Sequence, residues 1–282
     1  YTPSIVSHCG LTIGVGSRDE KQSENGTAHF VEHCLFKGTE RRKAFRILDC
    51  IDGVGGELNA FTTKEETCVY GLYLEQYHER FLDLLADIVF HSTFPAQAIE
   101  KEKEVILDEI NSYLDTPSEQ IFDDFEQMVF GNRGLGCMIL GTPNKVKAMR
   151  QEKLQDFVRR NYTTDNMVLS TITSMPAEKW FALCEKYLGK EPKTECTNKR
   201  TSSGIYKPTH KRLDRDTYQS HIIVGSKAFS YRNPKKVPFS LLNNILGSGA
   251  MNSYLNMHIR EKYGFTYSIE SSYTAYYDAG VF

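Results

Sequence analysis

The residues of this 282-residue chain whose types and spacing could do chemistry stand together near its start, as His29-Phe30-Val31-Glu32-His33. On a helix, positions i and i+4 lie about one turn apart on the same face, so the imidazoles of His29 and His33 can reach one ion. Glu32 lies beside them, three residues past His29, where its carboxylate can take a proton from water rather than bind the metal. The H-x-x-E-H order is the reverse of the H-E-x-x-H zinc-peptidase helix. The chemistry such a set performs is metal-assisted hydrolysis, with one Zn2+ per chain as cofactor. Two histidines on one helix face can also be ordinary half-buried polar residues. A five-residue match arises by chance about once or twice in a hundred chains of this length, so the surroundings must decide.

A catalytic zinc takes three protein ligands and leaves a fourth position for water. Glu24 and Glu40 flank the helix in sequence, and the run Glu102-Lys103-Glu104-Val105-Ile106-Leu107-Asp108-Glu109 offers further carboxylates. Val105, Ile106 and Leu107 are expected to be largely buried. Glu102 and Glu109, seven residues apart, share one helix face two turns from one another. Two carboxylates on one face of a partly buried helix repel, and a metal is their natural counter-charge.

The elements that must position these groups are readable from pattern. Residues 4–15 read as a strand ending at the Gly16-Ser17 turn. Asn25 or Thr27 can cap the helix that follows, with Ala28, Phe30, Val31, Leu35 and Phe36 as its apolar positions and Gly38 as its stop. A helix over 44–51 and strands over 57–62 and 67–74 come next. Helices over 75–90, 96–114 and 118–130 follow, with Pro95 and Pro117 near two of the starts, where a first-turn amide has no helical partner. Residues 151–161 read as helix, 167–173 as strand, and 177–187 as a helix carrying the single tryptophan, Trp180. No regular βαβ rhythm runs through this order, so the fold class is α+β rather than doubly wound.

Residues 189–204 are polar and charged, as a linker is. The expected organisation is a metal-binding domain over 1–195, a linker over 196–204, and a second domain beginning at 205 and running to 282. In that second part, 218–224 and 265–273 read as strands and 237–246 and 252–263 as helices. Ser220-His221-Ile222-Ile223-Val224-Gly225-Ser226-Lys227 echoes Leu11-Thr12-Ile13-Gly14-Val15-Gly16-Ser17-Arg18, which points to a duplicated unit. A full second copy would need more than about a hundred residues past Phe282, so the second half reads as truncated.

Composition narrows the function classes. Charged residues make up 25% and hydrophobic residues 40% of the chain, and the formal charge is −2, which gives no reason to expect nucleic acid or an anionic membrane as partner. No apolar run approaches the roughly 18 residues a membrane span needs. Seven scattered cysteines without a CxxC pair suit reduced thiols and a cytoplasmic setting. The chain opens on Tyr1 rather than Met, which leaves room for a targeting segment removed upstream.

The stretch His29 to Thr39, HFVEHCLFKGT, closely resembles the active-site helix of the pitrilysin and mitochondrial processing peptidase family. In that family the third zinc ligand is a glutamate about 76 residues past the second histidine, which falls on Glu109, and a supporting glutamate one heptad earlier falls on Glu102. Gly55-Gly56-Glu57-Leu58-Asn59-Ala60-Phe61-Thr62 resembles the family's G-G-x-x-N-A-x-T edge strand, which implies that Asn59, Ala60 and Phe61 pair with an extended substrate. Leu246 to Ser253 and Arg260 to Tyr267 resemble the family's L-G-x-G-M-x-S and R-x-x-x-G-x-x-Y motifs. That resemblance implies that Arg260 binds substrate backbone or carboxylate and that Tyr267 donates to the oxyanion. Cys34 stands where many members carry Met or Leu, and Ala250-Met251 alters the glycine motif. Cys34, next to His33, is an expected site of oxidation sensitivity. The fold implied is a tandem repeat of a mostly antiparallel sheet with packed helices, the two halves enclosing a cavity. The activity implied is zinc-dependent endopeptidase, acting on peptides or unfolded segments, as a homodimer or paired with a related subunit. The rival reading is a non-catalytic family subunit, which would normally lack one of His29, Glu32, His33 and Glu109.

Overall fold

The computed structural model describes residues 4–197, 200 and 206–282. In chain order the principal elements are β1 (Val6–Ile13), α1 (Thr27–Leu35), α2 (Ala44–Asp52), β2 (Glu57–Thr62), β3 (Thr67–Leu74), α3 (His78–Phe90), α4 (Ala96–Leu114) and α5 (Pro117–Phe130). They continue with α6 (Pro143–Lys147), α7 (Gln151–Asn161), β4 (Met167–Ile172), α8 (Ala177–Leu188), α9 (Lys236–Gly247), β5 (Thr274–Ala275) and β6 (Gly280–Val281). The chain divides into two compact units, residues 1–116 with 137–200, and residues 117–136 with 201–282. Most of the expected linker, residues 198–199 and 201–204, lies outside the described residues.

The first unit is built on a four-stranded antiparallel sheet in the order β2-β3-β1-β4. Strict alternation explains its two faces. In β1, Ser7, Cys9, Leu11 and Ile13 point inward, while His8, Gly10 and Thr12 point the other way. Leu11 stands opposite Val69 on β3 and Leu169 on β4, so one row of apolar side chains crosses the sheet. That face shares one core with Phe30, Val31, Cys34 and Leu35 of α1, Phe81, Leu82, Leu85 and Ile88 of α3, and Ile99, Ile106 and Ile110 of α4, which packs on α1. Burying a side chain of this size contributes about 1.5–3 kcal/mol. The face therefore holds α1 against the sheet far more strongly than helix propensity alone could.

Helix α4 corrects one expectation. Ile99, Glu102, Ile106 and Ile110 form its buried stripe, spaced three to four residues apart, whereas Val105 is 51% exposed. A continuous V-I-L run cannot all face inward on a helix, because only one stripe of each turn meets the core. Glu102 thus sits within the buried stripe, with Glu109 on its rim.

The second unit is smaller. Val129, Phe130 and Leu135 pack with Tyr276, Ala279 and Val281 of the β5-β6 hairpin. Residues 218–224 and 265–273, expected as strands, are not strands here. Tyr218, Ile222 and Val224 are almost fully exposed. A strand needs a neighbour to take its amides. Among the described residues no backbone carbonyl takes an amide of 218–224, Ser271 alone of 265–273 reaches one, Gly247 O at 2.9 Å, and a short ladder forms at 226–228. There Ser226 N donates to Phe282 O, Phe282 N to Ser226 O and Ala228 N to Gly280 O. The expected helix over 252–263 contains a π-helical segment, Asn256–Glu261. Among the described residues no helix is long and apolar enough to cross a membrane.

Candidate metal centre

Helix α1 begins at Gly26, whose φ of 92° places it in the left-handed region that glycine adopts without strain. A Cβ there would lie 2.9 Å from Gly141 Cα and from Leu140 O. Neither of the expected caps acts. Thr27 Oγ1 donates to Glu24 O, and Asn25 Nδ2 serves Met138 O at 2.9 Å. Instead, Glu20 reaches across, its carboxylate accepting from Ala28 N at 2.7 Å, Gly26 N at 2.9 Å and Asn25 Nδ2 at 3.2 Å. As acceptor, the carboxylate satisfies backbone amides at the helix start that have no partner within the helix. Burial pushes the Glu20 carboxyl up to about 8, against the pull of the three donors.

From that start, α1 presents His29 and His33 one turn apart with ring centroids 4.5 Å from each other. Across from them, Glu109 on α4 places Oε2 3.7 Å from His29 Nε2 and 3.7 Å from His33 Nε2. The three donor atoms lie within 4.8 Å of one another. Ligands held about 2.0–2.1 Å from a tetrahedral ion stand about 3.4 Å apart, so small side-chain movements fit this set to zinc. Glu24 and Glu40, the other carboxylates considered, are elsewhere. Glu24 makes a two-oxygen contact with Arg160 at 2.9 and 3.0 Å, and Glu40 is exposed in the loop after α1.

Electrostatics suit a neutral His29 imidazole facing a carboxylate. Burial, with His33 beside it, lowers His29 to about 3. A ring that resists protonation keeps its lone pair for an ion. His29 Nδ1 is buried without a hydrogen-bond partner among the described residues. His33 is held from its other side, its Nδ1 3.0 Å from Glu102 Oε1. That contact directs Nε2 toward Glu109, the arrangement in which a supporting carboxylate sets the ligand nitrogen. Glu102 is 6% exposed, and its second oxygen lies 2.7 Å from Lys37 Nζ. Burial raises the Glu109 carboxyl, partly offset by His33.

Glu32 projects beside the three donors toward the end of β2, where Thr62 Oγ1 donates to its Oε2 at 2.7 Å. Its carboxyl is raised by burial, while the Thr62 hydrogen bond and His33 pull it back and Glu109 adds to the rise. Tyr162, just past α7, is buried, and the charge of Glu32 adds to the burial that raises its hydroxyl. Cys34 is fully buried and its thiol is pushed up to about 12, chiefly by burial and then by Glu102. A protonated, inaccessible thiol is inert, so the oxidation sensitivity expected of Cys34 is not supported.

Asn59, Ala60 and Phe61 lie on β2, the edge of the sheet, with β3 on one side and no paired strand on the other among the described residues. Asn59 and Phe61 face out, and Ala60 N donates to Asn59 Oδ1 at 2.8 Å. Arg260 and Tyr267 belong to the second unit. Arg260 Nε is 3.8 Å from Glu261 Oε1 within the π-helical segment, and Tyr267 is almost fully exposed. Glu20, Lys37, Thr62 and Tyr162 were not singled out by sequence reasoning. Lys37 and Thr62 lie inside the quoted H-F-V-E-H-C-L-F-K-G-T and N-A-x-T stretches, which is the signal that could have marked them.

An antiparallel sheet covered by helices, with an inverted histidine helix facing a glutamate from a second helix, defines a class of protein rather than an isolated motif. Residues 1–143 match the family described as insulinase (peptidase family M16), and residues 148–282 match its "inactive domain". The chain belongs to this family. It is 36% identical to an uncharacterized zinc protease of Bacillus subtilis, covering 96% of this chain and 66% of that one. It is 35% identical to an uncharacterized zinc protease of Rickettsia bellii, covering 100% of this chain and 68% of that one. Among solved structures, a protease from Helicobacter pylori superposes with a TM-score of 0.87 at 19% identity, over 99% of this chain and 69% of that one. A peptidase M16 inactive domain from Pseudomonas fluorescens gives 0.90 at 19% identity, over 100% and 69%. The chain spans about two thirds of the length of the curated relatives it matches. His29, Glu32, His33, Glu102 and Glu109 all fall in the first matched segment, while Arg260 and Tyr267 fall in the segment described as inactive.

Proposed function

We propose that this chain is the metal-binding part of a zinc-dependent endopeptidase, with zinc held by His29, His33 and Glu109. The observation that carries the reading is the convergence of His29 Nε2, His33 Nε2 and Glu109 Oε2 beside Glu32. Zinc bound to such a set acts as a Lewis acid and acidifies water. Glu32 takes the proton of the attacking water and passes it to the leaving amine, so that one O–H and one C–N bond break as the new acid and amine form. Thr62 steadies Glu32 through its hydrogen bond. Glu102 orients His33. The free edge of β2, with Asn59, Ala60 and Phe61, suits a peptide bound in extended form through main-chain hydrogen bonds, which favours peptides or unfolded segments as substrates. Arg260 as a substrate-binding group and Tyr267 as an oxyanion donor complete the proposal. They rest on family resemblance alone. So does pairing with a second copy or a related subunit, whereas the division into a domain over 1–195 and a related domain from 205 rests on the polar stretch between them and on the echo of residues 11–18 in 220–227.

The test is zinc analysis together with cleavage of a quenched unfolded peptide by wild type and Glu32→Gln. Wild type is expected to carry one zinc and to cleave. Glu32→Gln should keep its zinc and lose about 10²- to 10⁴-fold in turnover, the usual contribution of a general base. A wild type without zinc, or a variant as active as wild type, refutes the assignment.

A further inference from the structure

We infer that Lys37 is a positioning residue of the metal centre, its ammonium clamping Glu102 so that Glu102 holds the His33 ring with Nε2 turned to Glu109. The inference rests on the zinc reading above and extends it by one shell. Glu102 divides its two oxygens, Oε1 to His33 Nδ1 at 3.0 Å and Oε2 to Lys37 Nζ at 2.7 Å. It is therefore a bridge between ring and ammonium, and its rotamer is set from both ends.

Charge balance points the same way. The Glu102 side chain is 8% exposed, on the buried stripe of α4. A buried carboxylate needs a counter-charge as well as hydrogen bonds. A ligating His33 is neutral and supplies none. Lys37 is the one lysine or arginine with an ion pair to Glu102 among the described residues. Of the two lysines that flank it on α4, Lys101 is exposed and Lys103 is engaged with Glu100 at 2.7 Å. Local structure explains why Lys37 is available. Helix α1 ends at Leu35, Lys37 N donates to Cys34 O at 3.1 Å in the closing turn, and the side chain four residues past His33 emerges beside α4. Its own side chain is 34% exposed, so the aliphatic stem is covered while the head reaches a buried partner. Without the ammonium, the carboxylate loses the contact that fixes one oxygen, and the ring it orients is freer to turn.

Zinc dissociation constants of the purified protein, measured by competition with a chromogenic chelator, test this. Lys37→Met should weaken zinc binding about tenfold, the lower end of what loss of a supporting contact costs. Lys37→Arg should recover most of it, and Lys103→Met should bind as wild type does. In a double-mutant cycle, Lys37→Met should add nothing once Glu102→Gln is present, because both act through one bridge. If Lys37→Met does not fold, Lys37→Gln takes its place throughout. Wild-type affinity in the lysine variant, or effects of the two substitutions that simply add, overturns the role of Lys37 while leaving the zinc site standing. Absence of zinc binding by wild type overturns the site itself.

Discussion

Replacing Thr62 by valine removes one hydroxyl and keeps the volume and branching of the side chain, so its effect isolates a single hydrogen bond. That bond runs from Thr62 Oγ1 to Glu32 Oε2 at 2.7 Å, between two half-buried side chains. Hydrogen bonds to charged groups contribute about 1.5–3 kcal/mol, and partial exposure places this one near the lower end. About 1.4 kcal/mol corresponds to tenfold in a proton equilibrium. The sign follows from the groups around Glu32. Burial already raises its carboxyl above the ordinary range, and the Thr62 hydroxyl favours the anion and pulls it down. Losing the hydroxyl lets the carboxyl hold its proton to higher pH. A general base works only as the anion. The acid limb of the pH profile of kcat/KM should therefore move to higher pH, with a loss of up to about tenfold on that limb and near wild-type rates on the plateau. The assay is cleavage of a quenched peptide across pH at matched zinc content. An acid limb in the same place as wild type would refute the claim that Thr62 tunes the base. Equal loss at every pH would assign the effect to altered geometry instead.

Three further outcomes follow from the first unit. His78 is buried, with Nδ1 3.2 Å from Tyr73 Oη and Nε2 3.0 Å from Thr173 Oγ1, and burial lowers its affinity for a proton. The unfolded chain takes up that proton below about pH 6.5 and the folded protein does not, so stability falls as pH drops through that window, and thermal melting of His78→Gln should show a shallower fall than wild type. Asp87 is fully buried, accepting from Thr39 Oγ1 at 2.8 Å and Arg41 Nε at 3.1 Å and pairing with Arg42. Asp87→Asn removes the buried charge that Arg41 and Arg42 share while both keep Asp83, and should cost about 1.5–3 kcal/mol in urea unfolding, with wild-type stability counting against the argument. Gly26→Ala forces a Cβ to within 2.9 Å of Gly141 Cα at a positive φ and should lower stability by about 2–3 kcal/mol while weakening zinc binding, both read by melting with and without the metal.

Much of the first unit was legible because its signals are local. The apolar periodicity of α3, α4 and α7 and the alternation of β2 and β3 follow from which side of each element meets the core. The reading failed where the outcome depends on a partner distant in sequence. Residues 218–224 end in the β-prone run Ile222-Ile223-Val224, but local composition supplies no neighbour, and their amides find no backbone partner among the described residues. Val105 was misplaced for a related reason. An apolar run marks a buried helix without saying which stripe of it is buried, and that depends on the surface it packs against.

The candidate site divides along the same line. By itself the sequence determined that His29, Glu32 and His33 share one helix face and that Glu102 and Glu109 share another, because 3.6-residue periodicity converts spacing into direction. Which carboxylate meets the imidazoles was open on spacing alone, with Glu24, Glu40 and the α4 glutamates all in play. Only the packing of α1 against α4 put Glu109 at both Nε2 atoms and Glu102 at His33 Nδ1. The cap by Glu20, the Thr62 bond to Glu32 and the Lys37 bridge were likewise decided by tertiary structure. Each joins side chains whose distance is set by how separate elements stack, and no periodicity within one element contains that distance.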